Sequence, residues 1–466
     1  MYIGVLLPHL REFFITTIGT IPSIHIINRI FFAIRILSLS LTDMIVNIAK
    51  FIEPCLLLTH KGKFHTLFLI KSNFLLTRLT NLTTDLYGMS NKTSFEAIIV
   101  GCGIAGASLA YFLTERGMRD ILILEKEEQP GYHSSGRSAA VLVELDFVPS
   151  VLHLKILGAK FLRTPPAGFS ENPLLRHSGI LTMFQGGLWE SAQQMIPELR
   201  QGGVVLEVLS HREVLSMVPV LSASNFEGSI LLPEDGHLDV HELLWGYLRH
   251  AKRRGAQLRF NEEVHGIKMD HGNCTGVITS KGEYSSRWAI NAAGAWSGNI
   301  RSLIGRSPVQ VTPYRRTIIT FAAPKELDVK NWPLSADLSN GLYFSPESGG
   351  LLASPMDEEP MAPCDARPDD LVIAQTIERL KQLAPGLVPQ SIIRKWAGLR
   401  TFAPDQAMVV GEDPFVKGFF WLSGQGGAGI ETSPAVARIA SDLIIDGHTE
   451  LMDAQLISPA RFIDTP

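Results

Sequence analysis

The chain has 466 residues, a formal net charge of −4 and 45% hydrophobic residues, which is apolar sequence enough for two lobes and no charge excess that would draw it to nucleic acid. Its four cysteines, Cys55, Cys102, Cys274 and Cys364, stand far apart. That spacing leaves neither a disulfide framework nor a Cys-x-x-Cys metal or redox site, and it points to a reducing, cytoplasmic compartment.

Residues 1–88 differ from the rest, being rich in Ile, Leu, Phe, Thr and Asn, poor in Gly, and carrying more Lys and Arg than Asp and Glu. The uncharged run "FFITTIGTIPSIHIIN" is broken by Pro22 and His25 and stops at Arg29, short of a spanning helix, so membrane association is not supported. No small-residue cleavage site follows a single apolar run, which argues against a targeting peptide. The segment reads as upstream sequence outside the working protein, with Met89 the working start.

The first unit after it is "FEAIIVGCGIAGASLAYFLTERGMRDILILEKEEQPG". A short apolar strand, Ala97 to Val100, runs into Gly101, Gly103 and Gly106; a helix with small residues toward the sheet follows, and Gly117 stops it. A second strand, "DILILE", ends at Glu125, 19 residues after Gly106. This is a βαβ unit with glycines for a tight turn and close backbone approach, a helix N-terminus for a pyrophosphate, and an acid for a ribose hydroxyl. The motif alone does not choose between NAD and FAD. FAD is the longer molecule and needs segments beyond the first unit, and two such segments, "SRWAINAAGAWS" and "GFFWLSGQGGAGIETSPAVARIASDLI", stand further along. "GYHSSGRSAAV" (131–141) has neither strand alternation nor a helical stripe, and "SRWAINAAGAWS" is a strand, Trp288 to Ile290, with a small-residue turn at Asn291–Gly294. "GFFWLSGQGGAGIETSPAVARIASDLI" is strand, glycine turn and helix, whose N-terminal dipole suits the negative charge of a reduced flavin.

On "GCGIAGAS", "LEKEEQPGYHSSGRSAA", "NAAGAW", "WAGLRTFAPD" and "GQGGAGIETS", in that order over residues 95–460, the chain resembles the D-amino-acid oxidase superfamily of FAD enzymes, and within it the D-arginine dehydrogenases and their relatives. The resemblance implies an α/β fold: a Rossmann-like FAD-binding domain (89–168, 233–298, 399–466) with an inserted α+β substrate domain (169–232, 299–398). It implies non-covalent FAD held by Gly101, Gly103, Ile104, Ala105, Gly106, Glu125, Lys126, Ser134, Ser135 and Arg137. Ser138 and Ala139 would form the turn beside flavin N5. Val264, Ala293, Gly294, Trp296, Gly398, Gly424, Gln425, Gly426, Gly427, Ala428, Gly429 and Ile430 complete the implied set.

The stretch "LDVHELLWGYLRHAKRRG" reads as a scaffold helix opened by Asp239 and Glu242 in a capping-box pattern and closed by Gly255, with His237, His241 and His250 at the surface. No third ligand accompanies His237 and His241, so no metal site is expected. For the substrate, the resemblance implies a carboxylate fork at Arg400, further carboxylate contacts from Tyr343 and Arg316, with Arg315 as the alternative to the latter, and close approach at Gly427. At the other end the D-arginine dehydrogenases place a glutamate where this chain has Ile180, and a histidine and a tyrosine near Val141 and Asp146. Ile180 cannot neutralise a guanidinium, and a buried unpaired cation is costly, so the pocket is expected to prefer a neutral side chain, with Glu144 and Asp146 the reservation. The implied reaction is oxidation of the α C–N bond of a small D-amino acid by hydride transfer to flavin N5, giving an imine that hydrolyses to a 2-oxo acid and ammonia. No catalytic base is assigned, and the electron acceptor is open between oxygen, a quinone and another carrier. The alternatives are a 2-hydroxy acid dehydrogenase, an N-methyl amino acid (sarcosine-type) oxidase and, in another class, a flavin-binding partner protein without turnover.

Overall fold

The computed structural model describes residues 92–463, so the expectation for residues 1–88 lies outside the described residues. The first sheet is built on runs that are apolar at nearly every position, as strands covered on both faces must be. Ser94–Val100 lies between Ile121–Leu124 and Gly282–Asn291, all parallel, and Phe419–Ser423 joins the far side of Gly282–Asn291, again parallel. Gln257–Arg259 extends one edge, and Val264–Asp270 with Asn273–Thr279 forms an antiparallel meander on Gly282–Asn291. The strand Gly282–Asn291 is longer than the expected Trp288–Ile290 because its first half pairs with the meander and alternates buried with exposed residues. The helices Ile104–Glu115, Val240–Arg253 and Ser433–Ile445 share one apolar cluster on this sheet.

The second sheet has nine strands among the described residues, drawn from 180–232 and 312–402. Its two faces follow the period of two. Leu181, Met183, Ile319, Phe321, Phe344 and Leu351 pack into one cluster with Leu380 and Leu383 of the helix Asp370–Leu383. Ile180, Ile318, Leu334, Ala336 and Tyr343 pack into another on the opposite side. The ladder between Thr312–Phe321 and Ile392–Phe402 runs from Phe321↔Ile392 to Thr312↔Phe402. Arg400 is therefore carried by a strand of this second sheet, and the boundary expected between 398 and 399 falls inside that strand.

The scaffold helix forms as Val240–Arg253, with the Asp239 carboxylate accepting from the Glu242 N–H at 2.9 Å and Gly255 in the left-handed region at φ 105°. Only half of the expected capping box is made, because the Glu242 carboxylate turns to Arg249. His241 is exposed and His250 meets the Gly168 carbonyl, but His237 is not a surface residue. Its Nδ1 lies 2.7 Å from Ser178 Oγ and its Nε2 2.8 Å from Ser345 Oγ, and burial lowers its pKa to about 4. The reason is its place on a short strand, Gly236–Leu238, which pairs with Val141–Leu142 and turns the ring inward.

Two carboxylates, Glu144 and Asp235, are buried against one arginine, Arg163. Burial and the Glu144 charge push Asp235 up to about 8 from the ordinary 3.8. A carboxyl group raised in the folded state lends stability at low pH that is lost as pH rises through its folded value. Melting temperature of the wild type is expected to fall between pH 5 and 9 by a few degrees more than that of Asp235→Asn, followed by circular dichroism; equal slopes would contradict the assignment.

Candidate active site

The parallel strands of the first sheet all deliver their carboxyl ends to one crevice, the place where open α/β sheets bind ligands. Val100 leads to Gly101, Leu124 to Glu125, Asn291 to the Ala293–Trp296 turn, and Ser423 to the glycine loop at 424–430. A Cβ on Gly101 would meet the Ala292 carbonyl oxygen at 2.5 Å, and one on Gly106 would meet the Gly101 carbonyl at 2.0 Å. Both positions therefore require glycine, one for the crossing of two loops and one for the packing of helix on strand. The Glu125 carboxylate accepts from Cys102 N at 2.8 Å and Glu127 N at 3.0 Å, which fixes it at the rim of the cleft. The cleft encloses about 1540 Å³ including its open mouth. Of the residues expected to hold the cofactor, all but Gly106 and Ala428 line it.

The 131–141 stretch crosses this cleft as a turn tied at both ends. Ser135 Oγ accepts from Ile104 N at 2.9 Å, and Ser134 Oγ donates to the Leu399 carbonyl at 2.6 Å. The Arg137 guanidinium is spent on the Ala366 and Ala397 carbonyls and the Asp365 carboxylate, so Arg137 contributes its aliphatic stem to the wall rather than free donors. His133 sits between Glu127, at 2.8 Å, and the Trp296 ring, whose face also carries Lys126 Nζ at 3.4 Å. Ser423 was missed in the sequence. Its buried Oγ lines the cleft without a hydrogen-bond partner among the described residues, and only its place at the end of a parallel strand marks it.

The second sheet closes the cleft with a face of opposite character. Arg316 and Ile318 point to the same side, with Gly398 opposite Arg316, Trp396 opposite Ile318 and Arg400 opposite Tyr314. Arg316 and Arg400 thus line the cleft together. The alternative, Arg315, points to the other face and is held by Glu359 and Asp369. Arg316 Nε donates to the Asp357 carbonyl at 2.9 Å and Nη2 to Glu358 at 2.7 Å, while its buried Nη1 has no partner among the described residues. Burial and the adjacent Arg400 pull the Arg316 pKa down to about 10. The Arg400 guanidinium makes no hydrogen bond or ion pair among the described residues. It rests on the glycine loop so closely that a Cβ on Gly427 would lie 2.7 Å from Nη1.

Tyr343, Ile180 and Val141 stand behind this lining, in the apolar cluster that also holds Ile318 and Trp396. Tyr343 neighbours Arg316 closely enough to interact with it electrostatically, and its buried hydroxyl has no partner among the described residues. Glu144 and Asp146 are both spent, on Arg163 and on Lys155. No group of three or more His, Cys, Asp or Glu among the described residues could hold a metal.

A family model described as "FAD dependent oxidoreductase", DAO, matches residues 96–443. The chain belongs to the DAO family of FAD-dependent oxidoreductases. Relatives include the mitochondrial pyruvate dehydrogenase phosphatase regulatory subunit of Mus musculus, 23% identical over 80% of this chain and 44% of that protein. FAD-dependent oxidoreductase domain-containing protein 1 of Bos taurus is 26% identical over 79% of this chain and 84% of its own. Mitochondrial dimethylglycine dehydrogenase of Mus musculus is 24% identical over 80% and 44%. The chain thus spans less than half the length of the first and third of these. Among solved structures, L-proline dehydrogenase from P. horikoshii matches in fold with a TM-score of 0.72 at 22% identity, over 80% of this chain and 98% of that one. Glycine oxidase from Bacillus cereus matches with a TM-score of 0.65 at 24% identity, over 78% and 97%. The glycine cradle, the fixed Glu125 carboxylate and the unpartnered Ser423 hydroxyl fit FAD in the cleft.

Removing the Glu125 carboxylate deletes a charge-assisted acceptor. Glu125→Ala is expected to weaken FAD binding about tenfold or more, read by quenching of flavin fluorescence on titration of the apoprotein. Unchanged affinity would remove Glu125 from the cofactor site.

Proposed function

We propose that the protein oxidises the α C–N bond of a small amino acid, a D-amino acid with a neutral side chain, to an imine that water converts to a 2-oxo acid and ammonia. The observation that carries this reading is the buried cluster of unsatisfied donors: Arg316 Nη1 and Tyr343 Oη, both without partners among the described residues, beside the unpaired Arg400. Two guanidinium groups on one sheet face repel, and an anion between them converts that repulsion into binding. A carboxylate is the planar anion that matches a guanidinium fork. Bound FAD supplies the acceptor for the two electrons that leave the substrate.

The chain's own residues then divide the remaining work. Arg400 and Arg316 hold the carboxylate, the Tyr343 hydroxyl donates a further hydrogen bond, and the glycine loop under Arg400 fixes how deep the substrate sits. Beyond the carboxylate, Ile318 lines the cleft with Ile180, Val141 and Trp396 packed in the apolar cluster behind it, while Glu144 and Asp146 are occupied by Arg163 and Lys155. This favours a neutral side chain over a cationic one. The acceptor for the flavin's electrons, whether oxygen, a quinone or another carrier, is part of the same proposal, as is a cytoplasmic location, which rests on free cysteines at 102, 274 and 364.

A second reading keeps the same anion site and changes the nitrogen. Dimethylglycine, in the name of one relative, is an N-methylated amino acid, and an apolar wall accepts an N-methyl group as readily as an alkyl side chain.

The test is anaerobic. FAD-loaded protein is mixed with D-amino acids, L-amino acids, N-methyl amino acids and 2-hydroxy acids, and loss of flavin absorbance is followed. Bleaching by neutral D-amino acids and not by D-arginine is expected; rapid bleaching by D-arginine would contradict the pocket reading, and bleaching by hydroxy acids alone would replace the reaction. Arg400→Met is expected to cost about 100-fold in kcat/KM and Tyr343→Phe about tenfold, as losses of a bidentate charged contact and of a single hydrogen bond. Equal kcat/KM in wild type and Arg400→Met would remove the anion clamp.

A further inference from the structure

Next to the glycine loop, outside the lining of the cleft, lies a buried charge pair that the reaction itself does not use. Lys155, on the helix Pro149–Arg163, has a side chain only 8% exposed, and its ammonium meets three acceptors. These are Asp146 Oδ2 at 3.0 Å, Glu431 Oε1 at 3.1 Å and the Leu145 carbonyl at 3.0 Å. An ammonium has three N–H groups, so this one is fully satisfied. Glu431, 7% exposed, accepts on its other oxygen from the Val143 N–H at 2.7 Å.

The same short segment is held at every residue from 143 to 146. Val143 N–H goes to Glu431, Glu144 N–H to Asp235 at 2.7 Å, the Glu144 carboxylate to Arg163, the Leu145 carbonyl to Lys155, and the Asp146 carboxylate to Lys155. Loops of polar residues are ordinarily left to water, and one clamped at four consecutive positions by buried charges is fixed in place. One turn along from Lys155, a Cβ at Gly158 would lie 2.3 Å from the Glu431 carbonyl oxygen, so the helix backbone itself is pressed against Glu431.

Both partners lead to the site. Upstream, the clamped segment continues from Ala139, which lines the cleft, and from Val141, in the apolar cluster with Ile180 and Tyr343. Glu431 follows Ile430 directly, at the end of the glycine loop on which Arg400 rests at Gly427.

We infer that Lys155 and Glu431 are positioning residues that set the seat of the carboxylate clamp, by locking the glycine loop beneath Arg400 to the Ala139–Asp146 wall of the substrate pocket. The inference rests on the carboxylate reading of the Arg400 site. Neither residue touches substrate or cofactor in this account. Their effect passes through the loop at 424–430 and the wall at 139–146.

The test uses the full chain with FAD bound and three variants, Lys155→Met, Glu431→Leu and Glu431→Gln. Benzoate, a planar carboxylate, is the binding probe, read as a perturbation of the flavin spectrum; FAD content, melting temperature, and KM and kcat for the amino acid that bleaches the wild type fastest are measured beside it. Glu431→Gln has one acceptor oxygen where the carboxylate uses two, so it keeps either the Val143 N–H or the Lys155 ammonium and not both, and it is expected to fall between the wild type and Glu431→Leu in benzoate binding. Lys155→Met and Glu431→Leu are expected to weaken benzoate and raise KM about tenfold or more while kcat changes less than about threefold, with FAD content unchanged. A role confined to stability would lower melting temperature in the variants and leave benzoate binding and KM where they were, and that result overturns the inference. If Lys155→Met does not fold, Glu431→Leu against Glu431→Gln decides by the same criteria. A wild type whose flavin ignores benzoate overturns the carboxylate reading and this inference with it, whereas a wild type and Glu431→Leu that respond equally overturn the inference alone.

Discussion

Two guanidinium groups on one face of one sheet, Arg316 and Arg400, are the constraint on which the site depends. Water would screen such a pair at the surface; in a cleft walled by two sheets it does not, and like charges there demand a counter-charge. The protein meets part of the demand itself, through the Asp357 carbonyl and the Glu358 carboxylate on Arg316. It leaves Nη1 of Arg316 and the Arg400 guanidinium without such partners among the described residues. A site that binds by completing a half-neutralised cluster discriminates strongly for an anion, because the apo state already carries the cost.

The two sheets contribute in different ways. The first is parallel, so four strand ends and their turns open on the same edge, and a long dinucleotide is held largely by backbone. The second is largely antiparallel, so alternate side chains present a uniform face, and that face carries recognition: arginines at one end, Ile180, Ala336 and Tyr343 across the rest. The segments 131–141 and 424–430 run between them, which is why ties such as Ser134 to Leu399 and Gly426 to Thr401 join elements far apart in the chain.

Much of the cofactor end was legible in the sequence because its determinants are local. Gly101, Gly103, Gly106 and Glu125 fall within one βαβ unit, and their spacing has a direct geometric meaning. The substrate end was legible only by resemblance, and Arg315 could not be separated from Arg316, since the choice is set by register against a strand some 80 positions later. His237 was misread as a surface group because a three-residue strand leaves no periodic trace. The buried links of Glu144 with Asp235 and of Lys155 with Glu431 left no signal at all. They join residues 91 and more positions apart, and nothing in composition or period marks a charged residue as buried.

The most direct measurement of the central claim is a crystal structure of the FAD-loaded protein soaked with a small carboxylate that is not oxidised. The account predicts the carboxylate within hydrogen-bond distance of Arg400, Arg316 Nη1 and Tyr343 Oη, with the rest of the molecule toward Ile180 and Trp396. A carboxylate bound elsewhere, or Arg316 Nη1 and Arg400 paired with protein acceptors in the loaded enzyme, would contradict it.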